Sequence, residues 1–231
     1  MTLIKIIKNN NVPKVLLRYI MMNFLDLASI KTVILTVKEM NVLDDYSKNF
    51  LKDVDKGFEW NCYNGRLEVA KWLYSLGGVD IHANNEDAFR YSCQNGHQEV
   101  AKWLYSLGGI DIHDANEDAF RLSCFHDRLE VAKWLYSLGG VDIHANNEDA
   151  FRYSCFHDRL EVAKWLYSLG GIDIHADNEH VFRGSCYNGL LEMAKWIYSL
   201  GGVNIHADNE DVFRYSDGDI KKWLNEIIIE Y

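Results

Sequence analysis

The chain has 231 residues, 48% hydrophobic and 25% charged, with 24 basic and 34 acidic side chains and a formal net charge of −10. These proportions are those of a soluble protein with a buried core, and a single proline excludes collagen-like and proline-rich classes. Residues 1–50 hold seven basic and four acidic side chains, net +3, which leaves −13 on residues 51–231. An acidic body of that size repels nucleic-acid backbone and anionic lipid, so neither is expected as a partner.

In the N-terminal segment, Lys5, Lys8, Lys14, Arg18 and Asp26 interrupt the apolar run. It falls short of the about 18 apolar residues of a membrane span and lacks a secretory core, so an intracellular, cytoplasmic location is expected. Residues 1–50 are expected to form a helical segment of their own, ahead of an array over residues 51–231. The stretch Val12-Pro13-Lys14-Val15-Leu16-Leu17-Arg18-Tyr19-Ile20, followed by Phe24-Leu25-Asp26-Leu27-Ala28-Ser29-Ile30 and Leu35-Thr36-Val37-Lys38, resembles an F-box, LPxEILxxI…LDxxDL…LxxTCK. It departs from that pattern by one extra residue between Pro and Asp, by Val15 at the usual glutamate and by the missing Trp-like end. The resemblance implies that Pro13, Leu16, Leu17, Ile20, Leu25, Leu27 and Ile30 carry the face that docks on a Skp-type adaptor of a ubiquitin ligase. The alternative is a helical cap that shields the apolar side of the first repeat, which terminal repeats require.

From Phe58 onward the chain repeats. Gly-Gly pairs begin at Gly77, Gly108, Gly139, Gly170 and Gly201; cysteines stand at Cys62, Cys93, Cys124, Cys155 and Cys186; both series step by 31. Trp72, Trp103, Trp134, Trp165 and Trp196 keep the same step, and Trp223 stands four residues short of the next position. Residues 110–140 and 141–171 differ at only four places, Ile110/Val141, Asp114/Ala145, Ala115/Asn146 and Leu122/Tyr153. A fixed period of this length signals a solenoid of stacked units, here about six with the first and last degenerate.

Within one unit, Asn84-Asn85-Glu86-Asp87 is expected to cap a short first helix whose Ala88, Phe89, Ser92 and Cys93 share one side. Gln94-Asn95-Gly96-His97 turns the chain. Val100, Ala101, Trp103, Leu104 and Leu107 then mark an amphipathic second helix, which Gly108-Gly109 ends through the left-handed conformation open to glycine. The unit is helix, turn, helix, loop, and the fold class is all-α.

Asn95-Gly96-His97-Gln98-Glu99-Val100-Ala101-Lys102-Trp103-Leu104, then Gly109-Ile110-Asp111-Ile112, resembles the NGHxEVVKLL…GADVN register of ankyrin repeats, and the match recurs through residues 58–231. The family's TPLH is replaced by Asp87-Ala88-Phe89-Arg90, and the loop before the first helix is about three residues shorter, which argues against a projecting hairpin. The Trp-rich second helices and DIHA(D/N)NE links resemble ankyrin arrays of giant amoebal viruses. The resemblance implies a non-catalytic protein-binding module, monomeric and without cofactor. As a viral protein with an F-box it would work in the host cytoplasm, bringing a host protein to a ubiquitin ligase; as a plain scaffold it would mask its partner.

The repeated polar residues read as structural. Stacked helices lie roughly 8–10 Å apart, too far for a disulfide between equivalent cysteines, so these are expected to be buried thiols. The ladder His82, His113, His144, His175 and His206 is expected to stabilise turns rather than bind zinc, since the same spacing separates its members. Identical groups in every unit do not converge on one reacting point, so no catalytic residue and no metal site is assigned. The candidate partner-binding stripe follows the end of the first helix through Tyr63, Gln94, Phe125, Phe156 and Tyr187, flanked by Arg121, Arg152 and Arg183. Large rigid rings beside cations suit a protein interface; the competing reading packs the rings against the next repeat. The arginines are also expected to pair at i,i+4 with Glu86 and its equivalents.

Overall fold

A computed structural model of the chain describes residues 55–75, 77–216 and 218–229. The expected boundary at residue 50 and every F-box-like residue from Pro13 to Ile30 lie outside the described residues. By its contacts the chain divides into two units, residues 1–110 and 111–231.

In the first unit residues 55–63 are helical (α1), followed by α2 (Leu67–Ser75), α3 (Ala83–Gln94) and α4 (Gln98–Ser106). In the second, α5 (Asp114–Phe125) pairs with α6 (Leu129–Ser137), α7 (Ala145–Phe156) with α8 (Leu160–Ser168), and α9 (Ala176–Tyr187) with α10 (Leu191–Ser199). A final pair is α11 (Ala207–Tyr215) and α12 (Gly218–Ile229). No strand occurs among the described residues, so the Gly-Gly-x-Asp-Ile-His links connect the pairs as turns.

The second helices are built from strong helix formers with one apolar side; in α8, Val162, Ala163 and Leu166 are fully covered. The first helices bury the residues expected of them: Phe120, Ser123 and Cys124 in α5, Phe151, Ser154 and Cys155 in α7. These serines satisfy their hydroxyls on the carbonyl one turn back, Ser123 on Ala119 at 2.7 Å and Ser154 on Ala150 at 2.6 Å, so neither adds an unpaired polar group to the core.

Aromatic rings join successive repeats. In the first unit Trp103 meets Phe58 edge-on at 6.0 Å and Tyr74 at 5.9 Å. In the second, Trp165 contacts Phe120 and Tyr136, and Trp196 contacts Phe151 and Tyr167, at 5.9–6.3 Å. Trp223 completes the series on Phe182 and Tyr198 although it comes four residues early. The shortened α11 and its turn therefore keep the tryptophan in its packing position.

The start of each first helix departs from the expected cap. Asn84, Asn85 and Glu86 hold φ of 55, 56 and 63°, and Asn146, Asn147 and Glu148 hold 55, 58 and 61°. They form one left-handed turn, closed by Glu86 N–H to His82 O at 3.4 Å and Glu148 N–H to His144 O at 3.1 Å. His82 and His144 occupy the cap positions without a side-chain capping bond. Left-handed residues cost L-amino acids roughly 1–2 kcal/mol each, least for Asn and Asp, which accounts for the Asn/Asp-rich link. The remaining cost falls on the glutamate, whose carboxylate offsets it. Glu117 Oε1 accepts from His113 Nδ1 at 2.9 Å and from the Asp142 N–H of the next link at 3.2 Å. Glu179 does the same with His175 at 3.1 Å and Asn204 N–H at 3.1 Å.

The histidines thus do stabilise turns: each backbone N–H is also held by the side chain two residues back, His113 by Asp111 and His144 by Asp142, both at 2.9 Å, and His206 by Asn204 at 3.0 Å. On the far side the ring presses on the next Gly-Gly pair. A Cβ on Gly171, itself at φ 80°, would lie 3.0 Å from His144 Nε2, so the second glycine is required twice over.

Candidate protein-binding surface

The five cysteines are free and buried. Burial pushes the Cys62 and Cys186 thiols up to about 12, and Cys93, Cys124 and Cys155 upward as well. A thiol held protonated in the core is neither nucleophile nor metal ligand at neutral pH. Among the described residues no group of His, Cys, Asp or Glu is arranged to hold a metal ion, and no helix is long and apolar enough to cross a membrane.

What the repeats present outward is the C-terminal turn of each first helix. In the first unit Tyr63 is 44% exposed and meets Tyr91 edge-on at 5.9 Å, while Gln94 is half-buried. In the second unit the stripe is uneven. Tyr187 is 70% exposed, whereas Phe125 and Phe156 are half-buried because each leans on the following first helix. Phe125 packs edge-on to Tyr153 at 5.8 Å and to His157 at 4.5 Å; Phe156 packs on His180 at 5.1 Å and over Gly184. These rings therefore both join repeats and show an edge to solvent. Tyr153, 45% exposed beside Phe125, belongs to the same surface and is absent from the stripe read off the sequence.

The turns after α5 and α7 share the sequence Phe-His-Asp-Arg. Asp127 and Asp158 take φ of 60 and 59° where other repeats use glycine, a conformation aspartate tolerates better than most residues. Arg159 Nε donates to the Phe125 carbonyl at 3.2 Å and fixes one turn to the preceding helix end. Burial first, then Arg128, Arg159 and His157, hold the His126 imidazole below its ordinary value. It is accordingly neutral at pH 7 and adds apolar rather than cationic area.

The arginine partners are a correction to the sequence reading. Arg121 binds Asp118, three residues back, at 3.0 Å and Asp149 of the next repeat at 3.4 Å, while Glu117 is taken by His113. Arg152 reaches Asp149 at 4.0 Å and the Asn147 carbonyl at 3.4 Å, and Arg183 binds Asp208. The i,i+4 glutamate lies in the left-handed turn, which rotates its side chain toward the histidine and away from the arginine.

The described residues thus define a helix–turn–helix repeat scaffold, a class that binds through side chains spread along its repeats. The sequence agrees: residues 58–147 match the family model of ankyrin repeats, in three copies. Residues 58–147 thus carry repeats of the ankyrin type, and the helical pairs of the described residues are arranged as in an ankyrin-type solenoid. Such repeats are typically non-catalytic and mark a protein–protein interaction module. No curated protein matches the sequence.

Proposed function

We propose that residues 111–231 hold a protein partner on the surface formed by Phe125, Tyr153, Phe156 and Tyr187, with Arg121, Arg152 and Arg183 beside it, and that Tyr63 and Gln94 form a binding face of their own in residues 1–110. The observation that carries this reading is the exposure of Tyr153, edge-on to the half-buried Phe125, and of Tyr187 at the end of α9: solvent-facing rings supply large contact area at small entropic cost. Tyr153→Ser plus Tyr187→Ser is the fitting test, since neither ring is buried. Proteins captured by the wild-type chain should be lost from the double variant with its thermal midpoint nearly unchanged; an identical captured set would refute the surface. Phe125→Ser and Phe156→Ser suit this test less well, because both rings also join repeats.

A second reading adds recruitment of the partner to a ubiquitin ligase in the host cytoplasm of a virus. It is supported by the F-box-like run from Pro13 to Lys38. The wild-type chain is expected to pull down a Skp-type adaptor and the variant with Leu16→Asp and Leu25→Asp to lose it; failure of the wild type ends this reading.

A further inference from the structure

The near-identity of the repeats gives their differences meaning, and α9 departs twice from its counterparts on the surface just described. Position 180 is histidine, where Asp87, Asp118 and Asp149 stand in the earlier repeats. Position 184 is glycine, where Tyr91, Leu122 and Tyr153 stand. The two are four residues apart and so share one helix face. One change removes a carboxylate, the other a side chain.

The missing carboxylate is felt by Arg152. Arg121 is held from both sides, by Asp118 and by Asp149 of the repeat ahead. The same step ahead of Arg152 reaches position 180. With histidine there, Arg152 keeps only the long contacts to Asp149 and to the Asn147 carbonyl. Arg183 does not compete, since it turns to Asp208. His180 Nδ1 is itself buried without a hydrogen-bond partner among the described residues. The Phe156 ring, leaning into the room left at Gly184, packs edge-on to the imidazole. In α5 and α7 the equivalent position is closed by the repeat's own aspartate; in α9 a guanidinium and an imidazole nitrogen stand beside an aromatic ring with that acid absent.

We propose that Arg152 and His180 receive an aspartate or glutamate side chain of the bound protein, which takes the place of the carboxylate that this repeat lacks at position 180. The inference rests on reading this surface as a protein-binding one. A carboxylate accepts from the Arg152 guanidinium beside the His180 ring, and Phe156 limits the water competing for those bonds. The local field has the right sign. Burial first, then Arg152 and Arg183, hold the His180 imidazole below its ordinary value against the opposing pull of Asp177, and an arriving anion relieves that repulsion. Tyr187, two turns further along α9, offers the acidic segment an exposed ring to lie on.

The test uses the full chain and a library of short random peptides displayed on phage. Selected peptides should share an Asp or Glu, and replacing that acid by Asn or Gln should weaken binding about tenfold, the loss of one charge-assisted hydrogen bond. His180→Asp, which returns the repeat's own carboxylate to Arg152, should weaken the acidic peptide as much without lowering the thermal midpoint; Arg152→Gln should act alike. Peptides without an acid that bind His180→Asp as well as the wild type, yet are weakened by Tyr187→Ser, overturn the inference and leave the protein-binding surface standing. Peptides indifferent to all three variants, or a selection that yields none above background, overturn both. Tighter binding of a phosphotyrosine peptide than of its glutamate counterpart replaces the carboxylate by a phosphate and also overturns it.

Discussion

Phe151→Ala is expected to cost about 3–5 kcal/mol, the range for removing a fully buried phenyl group and leaving a cavity. Phe151 is sealed in α7 and its ring meets Trp196 of the repeat ahead. The loss therefore weakens both the repeat and its junction with the next one. In a stacked array stability is close to a sum of repeat and interface terms, so damage at one junction also lowers cooperativity. Urea unfolding followed by far-UV circular dichroism should show a lower midpoint and a broadened or divided transition. A variant within about 1 kcal/mol of the wild type would mean that these rings do not hold the repeats together. Phe156→Ser is the internal comparison: its ring is half-buried, so its cost should be clearly smaller.

Glu117→Ala should cost about 1–3 kcal/mol for a different reason: a buried carboxylate that joins two repeats is removed. Glu117 accepts from His113 within its own turn and from the Asp142 N–H of the following link. Alanine already stands two residues earlier in the same left-handed turn, at Ala115 with φ 50°, so backbone strain changes little on substitution. The measured loss thus reports the hydrogen bonds. Glu117→Gln keeps an acceptor for the Asp142 N–H but gives up the charge toward His113, and should fall between alanine and wild type. Equal stability of all three proteins in urea unfolding would show that the glutamate ladder contributes nothing to the stack.

The two substitutions separate the forces that order the array. Apolar burial gives each pair of helices its gross stability, and it is insensitive to small rotations of the link. The glutamate bonds are directional and tie a left-handed turn to the backbone of the next link. Together they leave the outer side of the first helices and the turns after them free to vary, and there the repeats differ at His180, Gly184 and the Phe-His-Asp-Arg turns. Function in a repeat scaffold resides in the side chains it carries and not in the fold itself.

The 31-residue step, the two helices of each repeat and the buried sides with Phe120, Cys124, Val131 and Leu135 follow from the chain itself, because apolar spacing and glycine stops are local properties that every copy repeats. Other features were decided only when repeats met. Three consecutive left-handed residues at the starts of α5 and α9 run against local preference, and there the glutamate, Glu117 or Glu179, finds an N–H in the following link. Trp223 reaches Phe182 despite coming four residues early, since ring packing and not sequence count sets its position. Phe125 and Phe156 occupy the same place in the repeat, yet one leans on a tyrosine and the other over a glycine, because a helix-end side chain takes its direction from the neighbour it meets. His180 and Gly184 could be seen as departures from the repeat, but that they leave Arg152 without its forward aspartate is a fact of distance between two helices, which only the folded chain brings together.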